Sequence, residues 1–593
     1  MCGIVGVIGE DAPQKAFDGL KALEYRGYDS WGIAAPEPGG KFYLERHVGK
    51  IGAARLGNAP SSTIAIGHTR WATHGKVTDA NAHPHLSNNK KIAIVHNGIV
   101  ENFADLKYGL FEKQYHFSSE TDSEVIANLI EDNMKSGSDF ETAFRKMLED
   151  IEGSYAIVAI YSAENKILCA KNGSPLVLGL IGEKEFFVAS DATAFISHTN
   201  RAIFLEEGSM AIIANNGLKV LDTHTGKPLG FKEKILQWSF EQTKKGGFEH
   251  FMLKEIHEQP ETILKAIEQP QEELAKIVSL VKASKKILLL GCGSSYHACI
   301  TGTYFLSSVA NMDSRAILAS EFQNFECLPD KETLVIAISQ SGETADLIDA
   351  IKFARGKGAK IASIVNVMDS TIMRISDHVL MMNAGPEICV LSTKSYTSQL
   401  AILLLLSHSI VGEEKVAKEI IAKAALGLES IIRDSETIRR LADGLQNSKD
   451  IFVIGRGLCF PTALEAALKI KEVSYIHAEG FAGAELKHGT IALIEEGTSA
   501  IIISDDATRK SIMSNAIEMK SRGAKLVIID SEPKPWVNEN TEYNSNFIPC
   551  PEVGLANAII AIVPIQLLSY FLATARGLDC DKPRNLAKSV TVR

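Results

Sequence analysis

The run Ile287-Leu288-Leu289-Leu290-Gly291-Cys292-Gly293-Ser294-Ser295 returns further along the chain as Ile451-Phe452-Val453-Ile454-Gly455-Arg456-Gly457. A short, unbroken apolar run that stops at a glycine and leads into a helical pattern reads as a strand buried on both faces of a parallel sheet. Gly291 and Gly455 lie 164 positions apart, while Gly358-Ala359-Lys360 and Gly523-Ala524-Lys525, like Ile338-Ser339 and Ile503-Ser504, lie 165 apart. Three matches at one offset mark an internal repeat, so this half of the chain is predicted to hold two similar α/β domains in tandem.

Upstream the grammar differs. Ile4-Val5-Gly6-Val7-Ile8, Ile92-Ala93-Ile94-Val95 and Tyr155 to Ile160 are short β-rich runs broken by Gly, Asn and Pro, and Glu124 to Met134 carries Val125, Ile126, Leu129 and Ile130 on one helical face. Sheets covered by helices are expected there. The polar segment Trp238 to Gly247, ending in a glycine pair, is the best linker. At 593 residues the chain exceeds what one core supports. The expected division is 1–239, 240–425, 426–577 and a tail, 578–593.

Composition narrows the function. With 45% hydrophobic and 23% charged residues the chain has ample material for cores. A formal charge of −10 opposes binding to a phosphate backbone, so nucleic acid is not an expected partner. Nine cysteines without a CxxC pair suggest neither a disulfide framework nor a structural zinc site, and fit a reducing cytosol. The apolar stretch Ala558 to Ala573 is too short for a bilayer and holds Pro564 and Gln566, so a buried helix and no membrane association are expected. Only Met1 precedes Cys2, so Cys2 is not expected to be a lipidated cysteine exposed by signal cleavage.

Removing Met1 would leave a thiol and a free α-amine on one residue, with pKa values of about 8.5 and about 8, so the amine can serve as base to its own thiol. Alone, Cys2 reads better as a small apolar residue opening the strand Gly3 to Ile8. It is accompanied by Gly67-His68-Thr69-Arg70-Trp71-Ala72-Thr73-His74-Gly75, by His96-Asn97-Gly98 and by Thr121-Asp122-Ser123-Glu124. Hydrolysis of a glutamine amide needs a nucleophile, donors for an oxyanion, and a cation and an anion for the substrate's α-carboxylate and α-ammonium. Cys2, Asn97 with Gly98, Arg70 and Asp122 supply that set. His-Asn-Gly also reads as a turn, and Thr121 to Glu124 as a capping box. His83-Pro84-His85 lacks the spacing of a metal site, and no metal is expected.

In the second half, Gly291-Cys292-Gly293-Ser294-Ser295 aims strand-end amides at an anion, although Tyr296 replaces the third glycine of a dinucleotide motif. Ser339-Gln340-Ser341-Gly342-Glu343-Thr344 offers three hydroxyls between a strand and a helix, which suits a phosphomonoester; fewer would suit a helix cap. Glu465, Lys469 and Glu472 form one stripe of a helix expected over Thr462 to Val473, either a solvated ion-pair row or a partly buried proton-transfer site. His488 is a candidate for ring-opening proton transfer. Asp505 and Asp506 replace the serine loop in the second repeat and would repel phosphate, so one sugar site per subunit is expected.

On these motifs residues 1 to about 235 resemble an N-terminal-nucleophile glutaminase domain, of αββα architecture, and the remainder resembles tandem sugar-isomerase (SIS) domains. Over the whole chain the resemblance is to the glutamine–fructose-6-phosphate aminotransferases. It implies Cys2 as nucleophile, Asn97 and Gly98 as oxyanion hole, and Arg70, Thr73, His74 and Asp122 around glutamine, with Trp71 as a gate at the ammonia exit. It further implies that Ser294, Ser295, Ser339, Gln340, Ser341 and Thr344 bind sugar phosphate, with Val390 and Ser392 close by. Glu472 would move a proton between C1 and C2 beside Lys469, His488 of a neighbouring subunit would assist ring opening, and Lys588 would form a Schiff base.

Ser294, Leu391 and Thr490 stand where threonine, alanine and proline are usual in that family. The implied activity makes D-glucosamine 6-phosphate and L-glutamate from D-fructose 6-phosphate and L-glutamine, in a cytoplasmic homodimer without cofactor or metal. A purine-building amidotransferase would need a pyrophosphate site in place of the repeats. A sugar-phosphate-binding regulator that has lost its chemistry would lack some of Cys2, Asn97, Glu472, His488 and Lys588, all of which are present.

Overall fold

The computed structural model describes residues 2–72, 74–215, 217–236, 240–533 and 546–590. It divides into two compact units, Met1–Lys244 with Ala587–Arg593, and Lys245–Leu586.

The first unit is built on two stacked antiparallel sheets, one of eight strands and one of six. Gly3–Ile8 lies inside the larger sheet, antiparallel to Ile64–Arg70 on one side and to Glu185–Ala189 on the other. Ile92–Val100 pairs with Gly153–Tyr161 in the smaller sheet. Ile4, Ile8, Ile64 and Ile66 meet Val95, Val158 and Ile160 in an apolar layer between the sheets. Helix Ala12–Ala22 covers the outer face of the larger sheet, and helices Glu124–Lys135 and Phe140–Asp150 cover the smaller. Because Gly3–Ile8, Ile64–Arg70 and most of Gly153–Tyr161 are buried on both faces, they read as near-continuous apolar runs instead of an alternation. The result is the expected αββα stack.

The second unit contains two five-stranded sheets, parallel throughout. The first runs Arg315–Leu318, Lys286–Gly291, Thr333–Ser339, Lys360–Val365, His378–Met381, and the second runs His477–Ala482, Asp450–Gly455, Ser499–Ile503, Lys525–Asp530, Phe547–Pro549. In both, the strand first in sequence lies second in the sheet, so the repeat seen in the sequence is a repeat of topology. One apolar core joins them through helices Lys394–Ile410, buried at every residue, and Val563–Ala575. The apolar run Gly554–Ala575, long enough to cross a membrane, is 83% buried over its most apolar window. It is core: Pro564 is tolerated in the first turn of Val563–Ala575, where its missing N–H costs nothing, and buried Gln566 accepts from Gln259 at 2.7 Å.

Candidate active site

Cys2 stands at the entrance to Gly3–Ile8, in contact with Trp71 just after the end of Ile64–Arg70 and with Asn97 inside Ile92–Val100. Its Sγ receives the Trp71 amide at 3.1 Å and lies 3.4 Å from the Trp71 carbonyl oxygen. Burial pushes the Cys2 thiol up from its ordinary value, against the pull of the Trp71 amide and the Arg70 guanidinium. Among the described residues no imidazole bonds to this sulfur.

Asn97 donates its Nδ2 to the Cys2 carbonyl at 2.9 Å, which holds the carboxamide against the nucleophile. Gly98 follows with φ of 125°, and a Cβ there would overlap the Ser154 carbonyl oxygen, so the approach of the two strands admits only glycine. Arg70, at the other strand end, binds the carbonyls of His74, of Gly75 at 3.3 Å and of Lys76 at 3.2 Å. That geometry explains its spacing from the His-Gly pair: one cation anchors the loop that follows it. Asp122 accepts from the Val100 amide at 2.9 Å and from the Ser123 hydroxyl at 3.3 Å. Cys2, Arg70, Trp71, His74, Asn97, Gly98 and Asp122 all line one pocket, together with Ala587, Ser589 and Val590 of the same unit. Thr73 lies outside the described residues.

Two local readings change. His96-Asn97-Gly98 is not a turn but the middle of Ile92–Val100, because nine cross-strand partners from Gly153 to Tyr161 outweigh a local turn preference. Thr121 to Glu124 is not a capping box: Ser123 precedes the helix without a side-chain cap, and Glu124 reaches back to the amides of Ser118 and Ser119 at 2.8 and 2.7 Å. The histidines between these motifs are packed on one another. His68 stacks on His83 at 4.2 Å between ring centroids, and His83 meets His85 at 4.4 Å. Burial holds all three neutral, with His68 lowered to about 3.

In the second unit the Glu465–Lys469–Glu472 stripe is the inner face of helix Cys459–Ser474, packed toward helix Ser294–Ala310. Lys469 is fully buried, 3.3 Å from Glu465 and 2.6 Å from Glu472. Glu465 also accepts from His297 at 2.7 Å. Burial alone would push Lys469 down, but the two carboxylates outweigh it and hold the ammonium. Burial likewise opposes a charged Glu465, and Lys469, His297 and Ser294 overcome it and lower its value. Of the two alternatives for this row, the solvated ion-pair face is therefore wrong. Glu472, with its side chain 19% exposed, is the member open to a ligand.

Ser339 ends its strand, accepting from the Gly342 amide at 3.0 Å and pairing with the Thr344 hydroxyl at 3.0 Å. Thr344 precedes helix Ala345–Gly356 but makes no side-chain cap, so the cap reading of this hydroxyl fails. Ser294 and Ser295 open helix Ser294–Ala310, and their hydroxyls differ in surroundings. Ser294 accepts from Lys469 at 3.1 Å and bonds Glu465, which commits its proton, whereas Ser295 accepts from Gln399 at 3.2 Å and keeps its own O–H to give. On the sugar-phosphate role that the resemblance implies for Ser295, Ser295→Ala should raise KM by about tenfold or more, a charge-assisted hydrogen bond's worth. Ser294→Ala should act mainly on kcat through Lys469; equal KM effects in steady-state kinetics would refute the distinction.

Val390 donates its amide to the Asp581 carbonyl at 3.0 Å, Leu391 is buried in the core, and Ser392 pairs with Ser395 at 2.6 Å. Buried Glu387 holds that loop by accepting from the Thr393 and Ser395 amides, both at 3.0 Å. His488 ends the short helix Gly483–His488 and is exposed. Lys588 lies in the segment that belongs to the first unit. In the second repeat Asp506 and Asp530 pair with Arg509, at 2.6 Å for Asp530, so the acidic loop is not a bare pair of charges as the sequence suggested. His68, His297, Glu387 and Gln399 were not singled out from sequence as site residues. Each acts on a partner 8 to 168 positions away, beyond any local pattern.

Residues 68–197 match the glutamine amidotransferase domain family, and residues 279–409 and 444–576 match the SIS domain family. Over 609 aligned residues, covering 100% of both chains, the sequence is 43% identical to the glutamine–fructose-6-phosphate aminotransferase (isomerizing) of Thermococcus kodakarensis. It is 40% identical over 627 residues, again covering 100% of both, to that of Chlorobaculum tepidum. Among solved structures, the C-terminal domain of glucosamine-fructose-6-phosphate aminotransferase from Francisella tularensis is 30% identical, with a TM-score of 0.51 over 57% of this chain and 99% of that one. With this likeness running end to end over both units, the chain belongs to the glutamine–fructose-6-phosphate aminotransferase family.

Proposed function

We propose that this protein transfers the amide nitrogen of L-glutamine to D-fructose 6-phosphate, giving L-glutamate and D-glucosamine 6-phosphate, the first step toward amino-sugar nucleotides. The observation that carries the reading is the convergence of Cys2, Arg70, Asn97 and Asp122 on one pocket. After removal of Met1 the α-amine takes the Cys2 proton, and Sγ attacks the glutamine carboxamide carbon. The tetrahedral oxyanion is met by Asn97 Nδ2–H and the Gly98 amide, while Arg70 and Asp122 hold the substrate's α-carboxylate and α-ammonium. Collapse breaks the C–N bond, ammonia leaves with a proton, and water hydrolyses the thioester to glutamate.

The ammonia then passes internally to the sugar half, where Lys588 forms a Schiff base with C2 of the ketose and water leaves; ammonia adds to that carbon and displaces the Lys588 amine, and Glu472, beside Lys469, moves the proton from C1 to C2. Ser295, Ser339, Gln340, Ser341 and Thr344 take the phosphate, with Ser294, Val390 and Ser392 alongside. Trp71 gates the ammonia exit, and Thr73 and His74 complete the glutamine site. The same reading takes the enzyme as a cytoplasmic homodimer in which the exposed His488 serves the sugar site of a second copy. Incubating the purified protein with both substrates should produce glucosamine 6-phosphate and glutamate in equal amounts, measured by chromatography. Glutamate without amino sugar, or neither product, overturns the reading.

A further inference from the structure

We propose that His68 is a positioning residue of the glutaminase centre: it locks the Asn97 carboxamide in the orientation that aims Nδ2–H at the oxyanion formed when Cys2 attacks. The inference rests on the reading of Asn97 as an oxyanion donor and asks what makes it one. A carboxamide is nearly symmetric in shape, and turning it over exchanges donor for acceptor. An inverted Asn97 would present oxygen to the developing negative charge and oppose the reaction it is meant to assist.

Two hydrogen bonds set the orientation. Nδ2 donates to the Cys2 carbonyl at 2.9 Å, which uses one of its two protons and leaves the other for the pocket. Oδ1 lies 3.0 Å from His68 Nε2, and the His96 carbonyl oxygen lies 3.0 Å from the same nitrogen. Both neighbours are acceptors only, so Nε2 carries the proton and gives it to both. His68 is fully buried and neutral, so this ring has a single proton, and its position on Nε2 is fixed by those two oxygens. An inverted Asn97 would set NH2 against N–H in a buried contact, leaving both donors there without an acceptor between them.

The ring cannot turn to accommodate such an inversion. It stacks on His83, which packs edge-on against His85, and His85 Nε2 is 3.0 Å from the Thr121 hydroxyl. His68 and Arg70 sit two residues apart on the strand Ile64–Arg70, on the same face of the sheet. One strand thereby supplies the cation for the substrate carboxylate and the support for the oxyanion donor.

The test uses the full chain with His68→Leu, His68→Gln and Asn97→Ala. His68→Leu should lower the glutaminase kcat about ten- to hundredfold, a large part of what an oxyanion donor supplies, with KM for glutamine within about twofold. His68→Gln, which keeps a donor for Oδ1, should recover part of that loss. Alkylation of Cys2 by iodoacetamide needs the thiol but no oxyanion donor, and its rate should match the unsubstituted protein. Affinity for glutamate γ-semialdehyde, whose thiohemiacetal with Cys2 puts an oxygen in the oxyanion position, should fall in parallel with kcat. If Asn97→Ala hydrolyses glutamine normally, the oxyanion reading itself fails. If Asn97→Ala is impaired but His68→Leu is not, or if His68→Leu loses alkylation along with hydrolysis, the inference about His68 is overturned.

Discussion

Cys2→Ala should abolish glutamine-dependent synthesis of glucosamine 6-phosphate, by at least about a thousandfold, while synthesis from added ammonium salts continues. The size follows from the role: without sulfur there is no thioester, and the oxyanion donors and substrate clamps that remain stabilise a transition state nothing can reach. The pocket keeps its shape, because alanine preserves the strand Gly3–Ile8 and the bond from Asn97 to the Cys2 carbonyl is a backbone contact. Binding of glutamine should therefore survive and can be measured by calorimetry. Survival of ammonia-dependent synthesis follows from the placement of Ser339, Lys469 and Glu472 in the unit Lys245–Leu586, whereas Cys2 belongs to the other unit. A variant that still makes amino sugar from glutamine, or one that loses both activities together, would contradict the division of labour.

The second large effect is expected at Lys469, where Lys469→Met should cost about 3–5 kcal/mol of stability in the sugar unit and remove its activity. Methionine fills the space, but Glu465 and Glu472 then lose the cation between them, and His297 and Ser294 are left to hold the fully buried Glu465. In the unsubstituted protein Glu465 is held below its ordinary value and Lys469 above its own, so their contribution is present from above about pH 5 to about pH 10. It is lost as Glu465 takes up a proton at low pH or Lys469 gives one up at high pH. In the variant the carboxyl has lost its cation and burial raises it, so the deficit should narrow as the pH falls and Glu465 is neutralised. Urea unfolding of both proteins at two pH values measures this. Adding Glu465→Gln to the variant should restore part of the stability and none of the activity.

The sequence by itself determined the architecture and the glutaminase constellation. Apolar runs that stop at Gly291 and Gly455 and lead into helical patterns read as parallel-sheet strands, and their common offset made the two sheets copies. Cys2, Arg70, Asn97 and Asp122 were legible because the chemistry of an amide needs that set of groups, whatever the fold that assembles them. Tertiary structure decided the rest. Whether the Glu465–Lys469–Glu472 row faces water depends on what packs against its helix, and the helix carrying His297 and Ser294 comes from 168 and 175 positions away. Thr121 to Glu124 has the letters of a capping box, yet Glu124 finds better donors in Ser118 and Ser119. Asp506 reads as bare charge until Arg509 joins it to Asp530. Periodicity and spacing report the local chain, whereas the partner of a buried charge or of a carboxamide is chosen by the strands and helices that meet there. For the same reason His68, one letter in a motif, becomes the support of Asn97 only once two strands lie side by side.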